Sequence, residues 1–253
     1  MIGVFDSGIG GLTVIRELKK ALPKTDIIYL GDTARVPYGN KSDELIQQYA
    51  KEAIDFLLSK KVKLVIAACN TVSAVALEKI KNDYDVPIVG VVQSAVDSAL
   101  KVTKNKKIGV IGTAATIKSG IYTELLKAAD SKIMVYEKPA PLLVPLAEEG
   151  FTERPETTKI IRYYLRELKG AGIDTLILGC THFPLLAKSI KKAAGPKIQI
   201  ISSAESLAGS FKVDDMVKEK GKLELYFTDI PAKFEERAAR FLGSSNFKLK
   251  KAG

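Results

Sequence analysis

Short, nearly uninterrupted apolar runs alternate along the chain with longer stretches whose apolar residues recur at helical spacing. The first cycle is the run Ile2-Gly3-Val4-Phe5, a polar turn, and then Leu12, Val14, Ile15 and Leu18. Short apolar runs that end in a turn predict strands buried on both faces, and recurrence at three- and four-residue intervals predicts helices. On this pattern strands are predicted over 26–30, 63–68 and 87–92, and helices over 42–58 and 72–80. The cycle then restarts, because Gly109-Val110-Ile111-Gly112-Thr113-Ala114 can be laid over Gly3-Val4-Phe5-Asp6-Ser7-Gly8 with Thr113 on Ser7. Strands over 132–136, 175–178 and 198–201 and a helix over 157–168 follow. Strand alternating with helix implies mostly parallel sheets, and the restart implies two similar α/β halves. The tail holds helical stretches around 206–220 and 231–242, and periodicity does not say which half they join.

Two of the runs end alike. Leu64-Val65-Ile66-Ala67-Ala68 leads into Cys69-Asn70-Thr71, and Leu176-Ile177-Leu178-Gly179 leads into Cys180-Thr181-His182, using both cysteines and the single histidine of the chain. Each thiol is predicted at the carboxyl end of a strand, where open α/β sheets bind ligands. The helix that follows favours thiolate over thiol. Free cysteines are also common core residues, but two matching corners weigh against that reading. If the corners face each other across a cleft between the halves, one thiolate can take a proton from one face of a tetrahedral carbon while the other thiol delivers one to the opposite face. That inverts a stereocentre, and it needs two groups of like chemistry, each base in one direction and acid in the other. Asp6, at the end of the first strand, reads either as an N-cap or as a proton relay for Cys69. His182 reads either as a satisfied core histidine or as the partner of Cys180. The turn Ser7-Gly8-Ile9-Gly10-Gly11 can approach an anion through its amides, but it holds neither a complete dinucleotide fingerprint nor a P-loop lysine. The connection over 31–42 is long, as functional loops often are.

Composition narrows the field. With 253 residues, 46% hydrophobic and 27% charged, the chain is globular and large enough for one domain or two. No apolar run approaches the roughly 20 residues that cross a bilayer, and the first residues lack the layout of a signal peptide. A soluble, cytoplasmic protein with free thiols is expected. Two cysteines and one histidine leave zinc short of a ligand, and no lysine stands in a recognisable pyridoxal-phosphate context, so neither metal nor cofactor is expected. The net charge of +10 raises the question of nucleic acid. Its lysine clusters, such as Lys60-Lys61-Val62-Lys63, have no aromatics among them, so no specific nucleic-acid partner and no membrane partner is expected.

Asp6-Ser7-Gly8-Ile9-Gly10-Gly11, Pro37-Tyr38-Gly39, Cys69-Asn70-Thr71 and Gly179-Cys180-Thr181-His182, taken together and in order, resemble the glutamate racemases of the aspartate/glutamate racemase superfamily. The resemblance implies an α/β fold of two similar domains with mostly parallel sheets and the active site in the cleft between them. It implies a first domain of 1–95 plus the returning tail 206–253, and a second of 96–205. The implied activity is cofactor-independent interconversion of L- and D-glutamate, supplying D-glutamate to peptidoglycan synthesis, often by a homodimer. Carried over, Cys69 and Cys180 are the acid/base thiols, with Asp6, Glu148 and His182 assisting. Ser7, Tyr38, Gly39, Asn70, Thr71, Thr113, Thr116 and Thr181 match substrate-binding positions. The sequence departs from the family pattern at Ala140-Pro141, where Cys-Pro is frequent, and at Lys41, where Arg is; the first leaves open whether Glu148 or its neighbour Glu149 faces the site. Two alternatives stand beside this reading. One is an aspartate racemase of the same superfamily. The other is a binding module that holds an acidic ligand or protein, since some family members bind DNA gyrase.

Overall fold

The computed structural model describes residues 1–211 and 221–252. β1 (Ile2–Asp6), β2 (Ile27–Gly31), β3 (Leu64–Ala67) and β4 (Ile88–Gly90) lie in one sheet in the order β2-β1-β3-β4. β5 (Lys107–Gly112), β6 (Met134–Pro139), β7 (Thr175–Gly179) and β8 (Gln199–Ser202) form a second sheet in the order β6-β5-β7-β8. Setting β5 on β1 makes the two orders the same, so the restart at Gly109 repeats a topology as well as a sequence pattern. β9 (Leu223–Phe227) and β10 (Leu249–Lys251) come from the tail and extend the first sheet beyond β2. Every strand pairing among the described residues is parallel.

The contiguous apolar strands follow from helices on both faces. In the first half these are α1 (Leu12–Ala21), α2 (Asp43–Ser59), α3 (Asn70–Val75) and α4 (Leu77–Ile80). In the second they are α5 (Val92–Val102), α6 (Ala114–Ser119), α7 (Ile121–Ala129), α8 (Leu143–Glu148), α9 (Pro155–Gly170) and α10 (Ala187–Ala194). α11 (Ser203–Ser210) packs on α1 and on α5, and α12 (Phe234–Leu242) packs on α1. One apolar core runs through both halves, joining Leu12 and Ile15 of α1 to Ile161 and Leu165 of α9, Ile190 of α10 and Phe241 of α12. Separate cores lie under α2, around Ile54 and Leu57, and in the second half around Val96, Tyr122 and Leu126. Each fully buried Leu or Ile contributes roughly 1.5–3 kcal/mol, so the shared core ties the halves together.

Several boundaries depart from the sequence pattern. The strand expected over 87–92 ends at Gly90, because that apolar run is divided between β4 and the start of α5. β4 is a sheet edge and Val89 is 36% exposed, so it is not the buried strand expected. The helix expected over 72–80 starts earlier, at Asn70, and is interrupted at Ala76, where φ is −117°. β6 continues to Pro139, which an edge strand tolerates. Of the stretch 206–220, α11 covers the first part and 212–220 lies outside the described residues. Among the described residues no helix is long and apolar enough to cross a membrane.

Candidate active site

The first corner carries Cys69 at the N-cap of α3, directly beyond β3. Its thiol donates to Ser7 Oγ over 3.6 Å. Asp6, at the end of the neighbouring β1, is almost completely buried, and its Oδ2 accepts the N–H groups of Gly8 and Gly11 at 3.1 and 3.0 Å. It therefore caps the glycine turn, and its other oxygen accepts from Thr181 Oγ1 at 3.5 Å. Burial raises the Asp6 carboxyl above its ordinary value despite His182, the two amides and Thr181. The same burial, reinforced by the charge of Asp6, pushes the Cys69 thiol up to about 12. The helix N-terminus does favour the thiolate, through the Val72 N–H, but burial and the Asp6 charge outweigh it. α3 is only 6 residues long, and desolvation in company with a carboxylate outweighs its dipole.

The second corner is built differently. Beyond β7, Cys180 and Thr181 lead to His182, whose Nδ1 lies 3.8 Å from Cys180 Sγ and whose Nε2 lies 2.8 Å from Glu148 Oε1 at the end of α8. Burial lowers the affinity of His182 for its proton, but the bonds to Cys180 and Glu148 more than reverse this and lift it to about 10. Glu148 is held below the ordinary carboxylate range, against the effect of burial, by His182 and Arg237. Arg240 Nη1 donates to the Glu148 carbonyl at 3.0 Å, and the Phe241 ring meets the imidazole edge-on at 5.3 Å. Glu149 faces elsewhere, onto an apolar depression with Leu142 and Phe151, so Glu148 is the carboxylate at the site.

Each half's turn braces the other half's thiol corner. Thr13 Oγ1 at the start of α1 donates to the Thr181 carbonyl at 2.8 Å, and a side chain on Gly10 would collide with Thr181 and His182. In the mirrored position Thr71, two residues after Cys69, shares hydrogen bonds with Thr113 at 2.9 Å and Thr116 at 3.3 Å. Gly39 presses against the same turn, with room for no Cβ: one would lie 2.8 Å from that of Thr113. Tyr38 donates its hydroxyl to Asp32, which is buried and also holds Arg35 and Thr228.

These elements line one cavity, walled by Ser7, Tyr38, Gly39, Cys69, Asn70, Thr71, Thr113, Glu148, Cys180, Thr181 and His182, together with Val36, Pro37 and Val144. Of the residues expected from sequence, Asp6 and Thr116 are the two not on this wall; each is hydrogen-bonded to residues that are. Both thiols are free and buried. Among the described residues no Lys or Arg lines the cavity. Among the described residues no group of three or more His, Cys, Asp or Glu is placed to hold a metal. Asp32, Tyr122 and Ser203 were missed from sequence. Asp32 alone left a signal, a carboxylate following a strand much as Asp6 ends one. Chemically, the cavity offers two sulfur acid/bases with unlike partners and neutral donors suited to an anionic ligand.

The model of the Asp/Glu/Hydantoin racemase family matches residues 2–210. The chain is 50% identical over 231 residues to the glutamate racemase of Aquifex pyrophilus, covering 90% of this chain and 89% of that one. Among solved structures it is similar to a glutamate racemase isoform of Bacillus anthracis, with TM-score 0.93 and 37% identity over 100% of this chain and 97% of that one. The glutamate racemase of Francisella tularensis in complex with D-glutamate gives TM-score 0.90 and 34% identity over 100% and 97% of the two chains.

Proposed function

The chain belongs to the Asp/Glu/hydantoin racemase family, and on that premise we propose that it interconverts L- and D-glutamate by proton transfer between two thiols, without a cofactor. The observation that carries the proposal is that Cys69 and Cys180, from different sheets, line one cavity as free thiols. Cys69 is assigned the proton of D-glutamate and Cys180 that of L-glutamate. Asp6 and Ser7 assist the first thiol, and His182 with Glu148 the second. Ser7, Asn70, Thr71, Thr113 and Thr181 supply hydroxyl and amide donors to the substrate's carboxylates. Among the described residues no Lys or Arg lies on the wall, so these neutral dipoles, together with the His182 imidazolium, hold the carboxylates and the charge that develops on the α-carbon. Tyr38 contributes its ring and backbone with Gly39, because its hydroxyl is engaged by Asp32. Thr116 orients the hydroxyls of Thr71 and Thr113.

The physiological role we infer is supply of D-glutamate to peptidoglycan synthesis by a cytoplasmic homodimer. The strands of the tail join the first sheet, which supports grouping 206–253 with 1–95 and leaving 96–205 as the second domain. The test is circular dichroism of L-glutamate, D-glutamate and L-aspartate solutions incubated with enzyme dialysed against a chelator. Both glutamate signals should decay to zero and the aspartate signal should persist. Faster loss of the aspartate signal would favour the aspartate racemase, and no loss with either amino acid would favour the binding module.

A further inference from the structure

Tyr122 of α7 is fully buried and touches both thiol corners. Its hydroxyl donates to Asn70 Oδ1 at 2.8 Å, and Asn70 follows Cys69 in the chain. Its ring lies against Gly179, which precedes Cys180. A Cβ on Gly179 would stand 3.2 Å from Tyr122 Cε2 and 3.0 Å from the Ile111 carbonyl oxygen, so a glycine is what lets the ring in. The Asn70 amide continues the connection. Its Nδ2 donates to Ser203 Oγ at 3.2 Å, and Ser203 donates to the carbonyl of Leu178 at 3.3 Å, at the end of β7.

This chain of bonds fixes the direction of the amide. Ser203 has one hydroxyl proton, which goes to Leu178, so its oxygen accepts from the Asn70 NH2 and the Asn70 carbonyl oxygen is left to Tyr122. One Nδ2–H remains, on a residue that borders the cavity.

We infer that Tyr122 is a positioning residue for the racemase. Its hydroxyl locks the Asn70 amide so that the free N–H serves the substrate, and its ring sets the register of the two thiol corners about one substrate carbon. The inference rests on the racemase reading above. Tyr122→Phe keeps the ring and removes the lock, so the dissociation constant for D-glutamate should rise about three- to tenfold, the range of one lost hydrogen bond. The value of kcat should change by less than about twofold, because the thiols stay in place. Tyr122→Leu also removes the spacer. In D2O it should raise the ratio of α-proton exchange with retention to exchange with inversion, since a misplaced acid gives the first thiol time to exchange its proton with solvent and return a deuteron to the same face.

Calorimetric titration of D-glutamate into the Cys69→Ala/Cys180→Ala protein, which cannot racemise the ligand, and into the same protein carrying Tyr122→Phe, Asn70→Ala or both tests the lock. The effect of Tyr122→Phe should vanish in the Asn70→Ala background. An unchanged dissociation constant in Tyr122→Phe, or the same factor in both backgrounds, overturns the inference while leaving the racemase reading intact. That cycle decides the matter even if Tyr122→Leu fails to fold. A wild-type protein that racemises no glutamate sinks the racemase reading, and this inference with it.

Discussion

Glu148→Gln isolates the electrostatic part of the second corner. The substitution keeps the shape of the side chain and an oxygen for His182 Nε2, now 2.8 Å from Glu148 Oε1, but removes the negative charge. The interval between the ordinary histidine value of 6.5 and about 10 converts, at 1.36 kcal/mol per pH unit, to a ceiling of roughly 5 kcal/mol. Cys180 supplies part of that ceiling. The Glu148 share is one charge-assisted hydrogen bond to a group that is 29% exposed, worth about 1.5–3 kcal/mol. His182 should therefore protonate closer to its ordinary value in the variant.

The sign follows from linkage. A histidine raised on folding contributes stability that is fully present below its unfolded value and is lost as pH rises through its folded value. Glu148, lowered on folding, contributes above its unfolded value and loses that contribution only in acid. The deficit of Glu148→Gln should thus be largest near pH 5.5, smaller at pH 8 and close to zero above pH 10. Urea unfolding of both proteins at these three pH values measures it. A deficit of the same size at pH 5.5 and above pH 10 would refute the ion pair as the source of His182's charge.

Other outcomes follow from the same geometry. Cys69→Ala and Cys180→Ala should each lower racemisation by at least about 10²–10⁴-fold, the usual worth of one general acid or base, and near wild-type turnover in either ends the two-thiol mechanism. Asp6→Asn removes the carboxylate that, after burial, holds the Cys69 thiol up. Iodoacetamide should then label Cys69 faster at pH 8, read by peptide mass spectrometry, and a slower rate would exclude that coupling. With a ligand bound, the two sulfurs should lie roughly 6–8 Å apart, one on each face of the reacting carbon, and a crystal structure of the complex reads this distance directly.

Much of this was legible because buried parallel strands write themselves as apolar runs, and because the side chains proposed to function stand where those runs stop. Asp6, Cys69 and Cys180 are all of this kind. Glu148 was not legible in the residues themselves; its partner is His182, and nothing in an apolar helix ending in two glutamates shows which one turns inward. Resemblance pointed to it, and the structure shows Glu148 at His182 and Glu149 on the other side. β9 and β10 escaped because a strand in a tail carries no mark of the sheet it joins, and β4 was overread because its apolar run continues into α5. Tyr122 and Ser203 act through Asn70, and a relation among three side chains from three elements has no sequence period to reveal it. The expectation at Cys69 was incomplete rather than wrong in sign: a helix N-terminus is visible in sequence, but the burial and the neighbouring carboxylate that outweigh it exist only in the fold.

The two thiols are chemically alike, yet the protein surrounds them with opposite charge. Protonated His182 stands against Cys180, and Asp6 lies within electrostatic reach of Cys69. This asymmetry cannot favour one direction of racemisation. Mirror-image amino acids have equal free energy in water, so their equilibrium constant is one and kcat/KM must be the same for both, in wild type and in every variant. On the proposed two-thiol mechanism, what the unequal neighbours can set is which proton transfer limits the rate, because removal at Cys180 would be assisted by an imidazolium and removal at Cys69 would begin from a thiol held protonated by burial. Glu148→Gln weakens only the first assistance. It should therefore lower kcat/KM for L- and D-glutamate by one common factor while changing unequally the two isotope effects measured with α-deuterated L- and D-glutamate. Equal changes in both isotope effects would mean that His182 and Glu148 serve the two thiols alike, and that the unequal charge around the thiols has no part in the chemistry.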